Sequence, residues 1–328
     1  MFKKNTCLIC GHKSKLAQTA LFDDRYGAPG LHDIYRCVSC GFGKTTPGLK
    51  RTEIGQFYAT HYPLSLVKAK SLKSQVRLIT PLRAYFEGVD NTAHWHAMPG
   101  QTVLDIGSAS GISLLEIQAR GARAYGVEPD PHGLKVAKQL GLKVHHGFLS
   151  DLPFPGVQFD LITASQVLEH EPDPRLFLRS LRAKLGPGGQ AVLSFPNYDA
   201  LYRHIFGRRW LHWHIPYHLN FFTLSSLSIL AKSAGFKVTS VRTITPNLWT
   251  ILQLRTLFVP QKHGIKNPVW AQADSVPKPG RRPIAPSLFM RIIALLGRLS
   301  VWLIMPFNRI IDALGYGESY LVTLQKDH

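Results

Sequence analysis

Residues 102–130, TVLDIGSASGISLLEIQARGARAYGVEPD, decide how the rest of the chain is read. Val103, Leu104 and Ile106 form a short apolar run of the kind buried in parallel strands. The segment Asp105-Ile106-Gly107-Ser108-Ala109-Ser110-Gly111 breaks that run, and a helical period follows through Leu114, Leu115 and Ile117. A second apolar strand, Ala124 to Val127, ends on Glu128, 21 positions after Gly107. The order is strand, glycine turn, helix, strand, acid. In a doubly wound sheet such a turn lets backbone approach a ligand, and an acid at the next strand end accepts hydrogen bonds from ribose hydroxyls.

The glycine spacing separates one ligand class from another. A dinucleotide fingerprint, G-x-G-x-x-G, requires glycines two and five residues after the first. Counted from Gly107, those positions hold Ala109 and Ile112. The chain shows D-x-G-x-x-x-G instead, with a carboxylate where an ammonium or sulfonium ligand is welcome. This stretch resembles motif I and the following acidic motif of class I S-adenosylmethionine (SAM) methyltransferases. The resemblance implies SAM contacts at Asp105, Gly107, Ser108, Gly111 and Glu128. The plain alternative is a glycine-rich connection that holds no nucleotide.

Further along, Gly147-Phe148-Leu149-Ser150-Asp151 stands where related methyltransferases place an acidic side chain and a backbone amide on the adenine. Phe148 occupies the acidic position here, so Phe148 and Leu149 are the expected adenine neighbours, and Asp151 orients the loop. Phe159-Asp160-Leu161-Ile162 then opens a strand that ends at Ser165 and Gln166, followed by Val167-Leu168-Glu169-His170 and, after a helix, Leu185-Gly186-Pro187-Gly188-Gly189. The pattern F-D-L-I-x-x-x-x-V-L-E-H-x-x-D-P with L-x-P-G-G resembles the methyltransferase family that includes the ubiquinone-pathway O-methyltransferases. It adds Ser165 and Gln166 to the expected cofactor contacts. It also implies a seven-stranded doubly wound Rossmann-like sheet whose last two strands pair antiparallel.

Methyl transfer to a hydroxyl is helped by a general base, and histidine suits that role near neutral pH. His170 follows a strand's carboxyl end, where ligands bind in such sheets. A histidine that only closes the turn is the alternative. The densest aromatic and histidine cluster, Arg208 to Thr223, supplies a second base candidate, His218, in a segment (197–222) that resembles the acceptor side of the same family. Phe57-Tyr58-Ala59-Thr60-His61-Tyr62 reads either as a cofactor lid, with Tyr62 its candidate residue, or as an amphipathic helix packed on the sheet.

All four cysteines fall within the first forty residues, as Cys7-x-x-Cys10 and Cys37-x-x-Cys40, each pair followed by glycine. Two such knuckles suit a structural four-thiolate zinc site, with disulfides or free thiols as the alternatives. The start MFKKNTCLIC lacks the apolar core of a signal peptide, so a cytoplasmic chain is expected. Against 20 Asp and Glu stand 39 Lys and Arg, a formal charge of +19. That excess favours polyanionic surroundings and is silent about fold.

The expected organisation is a zinc ribbon over 1–50, a helical linker or lid over 51–99 and a SAM-binding core over 100–245. A basic loop with an apolar helix follows over 246–315, and the last core strand over 316–328. The helix at 287–305 is read as meeting the face of an anionic membrane, the protein's own core or a second subunit. Its two arginines disfavour a true span. The functional expectation is methyl transfer from SAM to a small-molecule, sugar or lipid-linked acceptor, most simply at oxygen. An RNA methyltransferase and a non-catalytic SAM-fold scaffold with a partner-binding ribbon are the alternatives. No arginine-rich stripe with base-stacking aromatics supports the RNA reading.

Overall fold

The computed structural model describes residues 5–61, 69–267, 269–270 and 288–327. Tyr62 and most of the basic loop lie outside the described residues. Among the described residues, eleven strands form two sheets. β1 (Ser14–Leu21), β2 (His32–Cys37) and β3 (Gly43–Thr46) build an antiparallel N-terminal ribbon. β4 (Thr102–Ile106), β5 (Arg123–Glu128), β6 (Val144–His146), β7 (Phe159–Ser165) and β8 (Leu185–Pro196) run parallel. β9 (Asn220–Phe221) leaves this group, and β10 (Phe236–Ile244) and β11 (Ser319–Lys326) complete the large sheet. Its order is β10-β11-β8-β7-β4-β5-β6, with β11 antiparallel to both neighbours.

All five residues of β4 are buried, as a strand covered on both faces requires. Leu104, Ile106, Ile162, Ala164, Leu193 and Phe195 point to one face, where helix Pro174–Lys184 brings Phe177, Leu178 and Leu181. Val103, Leu161 and Val192 point to the other, against Leu114 and Ile117 of helix Ile112–Ala119. Several of the helices start where side chains cap them. Asp130 accepts from the His132 amide, Asp173 from those of Arg175 and Leu176, and Thr223 from that of Ser226.

Three details depart from the sequence reading. Gly186-Pro187-Gly188-Gly189, expected to precede the fifth core strand, lies within β8 and shifts its register against β7. Gly189 is needed there because a Cβ would come within 2.7 Å of the Phe159 carbonyl oxygen. A helix at Asn247–Leu257 was not foreseen. The final helix runs Leu288–Ala313 through Pro306. Proline removes one backbone hydrogen bond, while Asn308, Arg309 and Ile311 beyond it are anchored by burial. Among the described residues, no helix is long and apolar enough to cross a membrane.

The ribbon joins the core through β9. Gly43 and Lys44 of β3 pair with Phe221 and Asn220, and the Thr45 amide donates to the Leu219 carbonyl. Arg175 donates to the carbonyls of Leu8 and Ile9, and Thr223 Oγ1 to that of Cys40. Phe42 and Phe222 rings lie 5.3 Å apart within one apolar cluster that also contains Phe195.

Candidate functional site

A cavity of about 190 Å³ opens at the carboxyl ends of the parallel strands. Ile106 and Gly107 follow from β4, Val127 and Glu128 from β5, Gly147, Phe148 and Leu149 from the loop after β6, and Ser165 and Gln166 from β7. His170 lines it as well. Of the residues expected at the cofactor, Gly107, Glu128, Phe148, Leu149, Ser165 and Gln166 therefore share one wall. Asp105, Ser108 and Gly111 do not line the cavity. Asp105 is buried beneath the turn and accepts from Thr163 Oγ1 at 2.5 Å. Ser108 is buried, and Gly111 packs against Leu142.

The glycine turn is held by Glu128. Its Oε2 accepts from the Ala109 amide at 2.7 Å and its Oε1 from the Asp130 amide at 2.8 Å. Ala109 adopts φ +46°, a conformation that is uncommon outside glycine. Gly133 lets the next helix approach, since a Cβ there would sit 2.6 Å from the Ala109 carbonyl oxygen. Burial raises the Glu128 carboxyl to about 7 against the two amide bonds that lower it. Asp151 accepts from the Phe148 amide and pairs with Arg51, so it orients the loop. Arg51 also covers the Phe148 ring at 4.6 Å.

Helix Arg51–His61 supplies a wall that sequence reasoning singled out only as a lid or packing helix: Ile54, Gly55 and Tyr58 face the cavity. His170 Nδ1 lies 2.8 Å from Tyr58 Oη and 2.9 Å from the Tyr217 carbonyl oxygen. A carbonyl only accepts, so Nδ1 carries the hydrogen and Nε2 keeps its lone pair. Burial lowers the His170 pKa to about 4, leaving the ring neutral near pH 7. His218 is buried behind it, with ring centroids 4.7 Å apart. Its Nδ1 meets the His212 carbonyl at 2.8 Å, so its Nε2 is also the unprotonated nitrogen, 3.9 Å from Glu169 Oε1.

Glu169, raised by burial to about 8, has both carboxyl oxygens buried without a hydrogen-bond partner. Glu169, His170 and His218 place their ligand atoms within 4.8 Å of one another and form a set that can hold a cation. Glu171, which no motif singled out, also lines the cavity. Its neighbour Glu169 drew attention only through the E-H pair.

The four cysteines meet as expected from their spacing. Cys7 and Cys40 sulfurs are 3.6 Å apart and those of Cys10 and Cys37 3.4 Å, and all four lie within 4.8 Å. A disulfide would require about 2.0 Å, whereas sulfurs around tetrahedral zinc, each about 2.3 Å from the metal, sit roughly 3.8 Å apart. The knuckles repeat each other. Ile9 and Ser39 amides donate to Cys7 and Cys37 sulfurs, and Gly11 and Gly41 take φ +77° and +74°. The donor set and its amide bonds fit zinc.

A parallel sheet with a reversed strand inserted next to its edge, and a cavity at the glycine turn, define the class I SAM methyltransferase fold. A family model described as a methyltransferase domain matches residues 74–241, just over half of the chain, and the chain belongs to that family. An uncharacterized methyltransferase of Mycobacterium sp. (strain KMS) is 33% identical over 145 residues, 40% of this chain and 58% of that protein. The ubiquinone biosynthesis O-methyltransferase of Pseudomonas paraeruginosa (strain DSM 24068 / PA7) is 34% identical over 127 residues, 36% of this chain and 52% of that one. The match thus spans little more than half the length of these relatives. Among solved structures, a complex of the Haloferax volcanii Trm112 methyltransferase activator with a methyltransferase aligns with a TM-score of 0.47 at 15% identity, covering 79% of this chain and 94% of the other.

Proposed function

We propose that this protein transfers the methyl group of SAM to a hydroxyl of a small-molecule, sugar or lipid-linked acceptor. The observation that carries the reading is the placement of a neutral imidazole, His170, on the wall of the cavity that Gly107 and Glu128 open. The name of the Pseudomonas relative favours oxygen as the methylated atom. SAM, when bound, supplies a methyl already activated on a sulfonium, so the chain's task is to hold, align and deprotonate. Glu128 accepts hydrogen bonds from the ribose hydroxyls, Gly107 gives room at the turn, and Phe148 and Leu149 flank the base. With SAM bound, His170 Nε2 would take the proton of the acceptor hydroxyl while the sulfonium supplies the methyl group to that oxygen. His218 packs behind His170 as a positioning residue and the second base candidate. Cys7, Cys10, Cys37 and Cys40 hold a structural zinc.

Labelled-methyl transfer into fractionated lysate tests the acceptor class. Label is expected in the lipid or sugar pools. Label confined to RNA would favour the RNA enzyme, and SAM binding with no transfer to any pool would favour a scaffold. His170→Ala is expected to lower turnover about a hundredfold with SAM affinity little changed. Because the base acts when unprotonated, turnover at saturating SAM should stay flat from alkaline pH to about 5 and fall towards the His170 pKa of about 4. A mid-range inflection abolished by His170→Ala would instead mark a base titrating well above that value.

Glu128→Gln separates cofactor binding from stability. The folded carboxyl titrates near 7, above its ordinary 4.5, so ionising it costs stability as pH rises through that interval. The amide removes this cost. Because the glutamine oxygen can accept from only one of the Ala109 and Asp130 amides, the variant should be less stable than the wild type below about pH 4.5, and its stability relative to the wild type should rise by on the order of 3 kcal/mol as pH passes 7. Its SAM affinity should nevertheless fall about tenfold, the loss of a charge-assisted hydrogen bond. Denaturant unfolding at two pH values and calorimetric SAM titration read the two effects independently.

A further inference from the structure

Helix Asn247–Leu257 and the described C-terminal half of helix Leu288–Ala313, residues 301–313, turn polar side chains inward and apolar ones outward. The buried residues of the first are Asn247, Thr250, Gln253 and Thr256, all polar, while Leu248 and Leu254 are exposed. Phe258, directly after it, is 87% exposed. In the second, Asn308, Arg309 and Ile311 are buried, whereas Leu303, Phe307 and Ile310, with Leu314 just past its end, recur at spacings of four, three and four on an exposed stripe beside Trp302. Leu303 is 80% exposed. A helix on an ordinary water-facing surface has the opposite arrangement.

The polar interior is bonded and therefore sets the orientation. Asn308 accepts from Tyr202 Oη at 2.7 Å and donates to Asn247 Oδ1 at 2.9 Å and Thr250 Oγ1 at 3.1 Å. Gln253 accepts from the Leu211 amide and donates to the Arg209 carbonyl. Arg309 donates to the Tyr85 and Thr245 carbonyls and pairs with Asp312. Rotating either helix to hide its apolar side would leave these groups buried or exposed without their partners. The apolar surface continues into a groove of about 670 Å³ lined by Leu82, Phe86, Leu248, Trp302 and Met305, with Glu87 at its wall paired to Arg77 and Arg83. So large an apolar face on one side marks an interaction surface.

Charge selects the occupant. Residues 246–270 contain no Asp or Glu, and helix Leu288–Ala313 contains one acid, Asp312, which is paired with Arg309. Arg255, Lys262 and Lys266 are exposed next to and beyond the apolar residues of the first helix. A second copy would bring another chain of net charge +19 against this face, whereas an anionic bilayer attracts it. Among the described residues no helix is long and apolar enough to span, Arg291 and Arg298 in the sequence of the second helix disfavour a span, and exposed apolar stripes with cations and a tryptophan alongside are what interfacial helices present. We propose that this face docks peripherally on an anionic membrane, with the two helices lying in the plane of the interface. The docking is independent of the chemistry in the cavity.

Co-sedimentation of the full-length protein with vesicles tests it, using phosphatidylcholine alone and an equal mixture with phosphatidylglycerol. The protein should pellet with the anionic vesicles and markedly less with the neutral ones, and added salt should weaken the binding. Leu303→Asp combined with Phe307→Asp should reduce partitioning about a hundredfold, with SAM affinity and thermal midpoint retained as the folding control. Reversing Arg255, Lys262 and Lys266 to Glu leaves the apolar face intact and should lower partitioning to anionic vesicles at least about tenfold. Equal pelleting with both vesicle types, or a folded Asp variant that pellets like the wild type, overturns the proposal. A concentration-dependent dimer that the Asp variant dissolves, with no vesicle binding by the wild type, overturns it in favour of a second copy.

Discussion

Gly107→Val should lower SAM affinity by at least about a hundredfold. Gly107 has φ +71°, and a Cβ there would lie 2.7 Å from Val167 Cγ2. A β-branched residue held at such a φ costs on the order of 1–3 kcal/mol in backbone strain alone, and the clash adds overpacking. Because Gly107 lines the cavity, the new side chain also enters the space assigned to the cofactor. Adding Val167→Ala separates the effects. The double variant should recover part of the lost stability, since the contact is relieved, but little of the affinity, since the cavity stays obstructed. Calorimetric titration with SAM and thermal unfolding read both quantities. Unchanged affinity in Gly107→Val would remove the cofactor from this cavity.

Cys37→Ser is expected to release the metal, destabilise the N-terminal ribbon and reduce methyl transfer more than SAM binding. The reason is geometric. Cys37 ends β2, which pairs with β3, and β3 pairs with β9 next to the histidine cluster. Thr45 Oγ1 donates to the His218 carbonyl at 2.7 Å, so the ribbon grips the backbone of the segment packed behind His170. Loss of a structural metal belongs with the large single-site effects, here more than about 4 kcal/mol. Turnover should drop roughly tenfold through misplacement of His170, the proposed base, while SAM affinity stays within about twofold. Metal analysis, limited proteolysis of the ribbon and separate kcat and KM measurements provide the test. Full metal content and intact protease resistance in the variant would refute the zinc assignment.

The local motifs were legible because their chemistry lies in short stretches. Gly107 is readable as glycine because the turn needs a positive φ, and Glu128 because it ends the strand after that turn. Ser165 and Gln166 are readable because they end a strand beside it. The Cys-x-x-Cys-Gly knuckles are legible for the same reason, each being a closed local turn. Tyr58 carried only the signal of an aromatic stretch legible as a lid or a packing helix, and Glu171 had no signal. Tyr58 reaches His170 across 112 positions of chain, a contact no local period encodes. Asp105 shows the converse: its motif position marked it for the cofactor, whereas the fold buries it against Thr163.

By itself the sequence determined the sheet, the glycine turn and the thiol knuckles, since strand burial, left-handed backbone and ligand spacing are properties of a few consecutive residues. The tertiary structure alone decided which histidine faces the cavity, that the ribbon continues through β9 to the segment that carries His212 to His218, and which side of residues 301–313 of the last helix is covered. For that helix the apolar pattern left membrane, core and second subunit open. Its orientation follows from Tyr202, Asn247 and Thr250, whose hydrogen bonds to Asn308 are worth making only when all four side chains are brought together and buried.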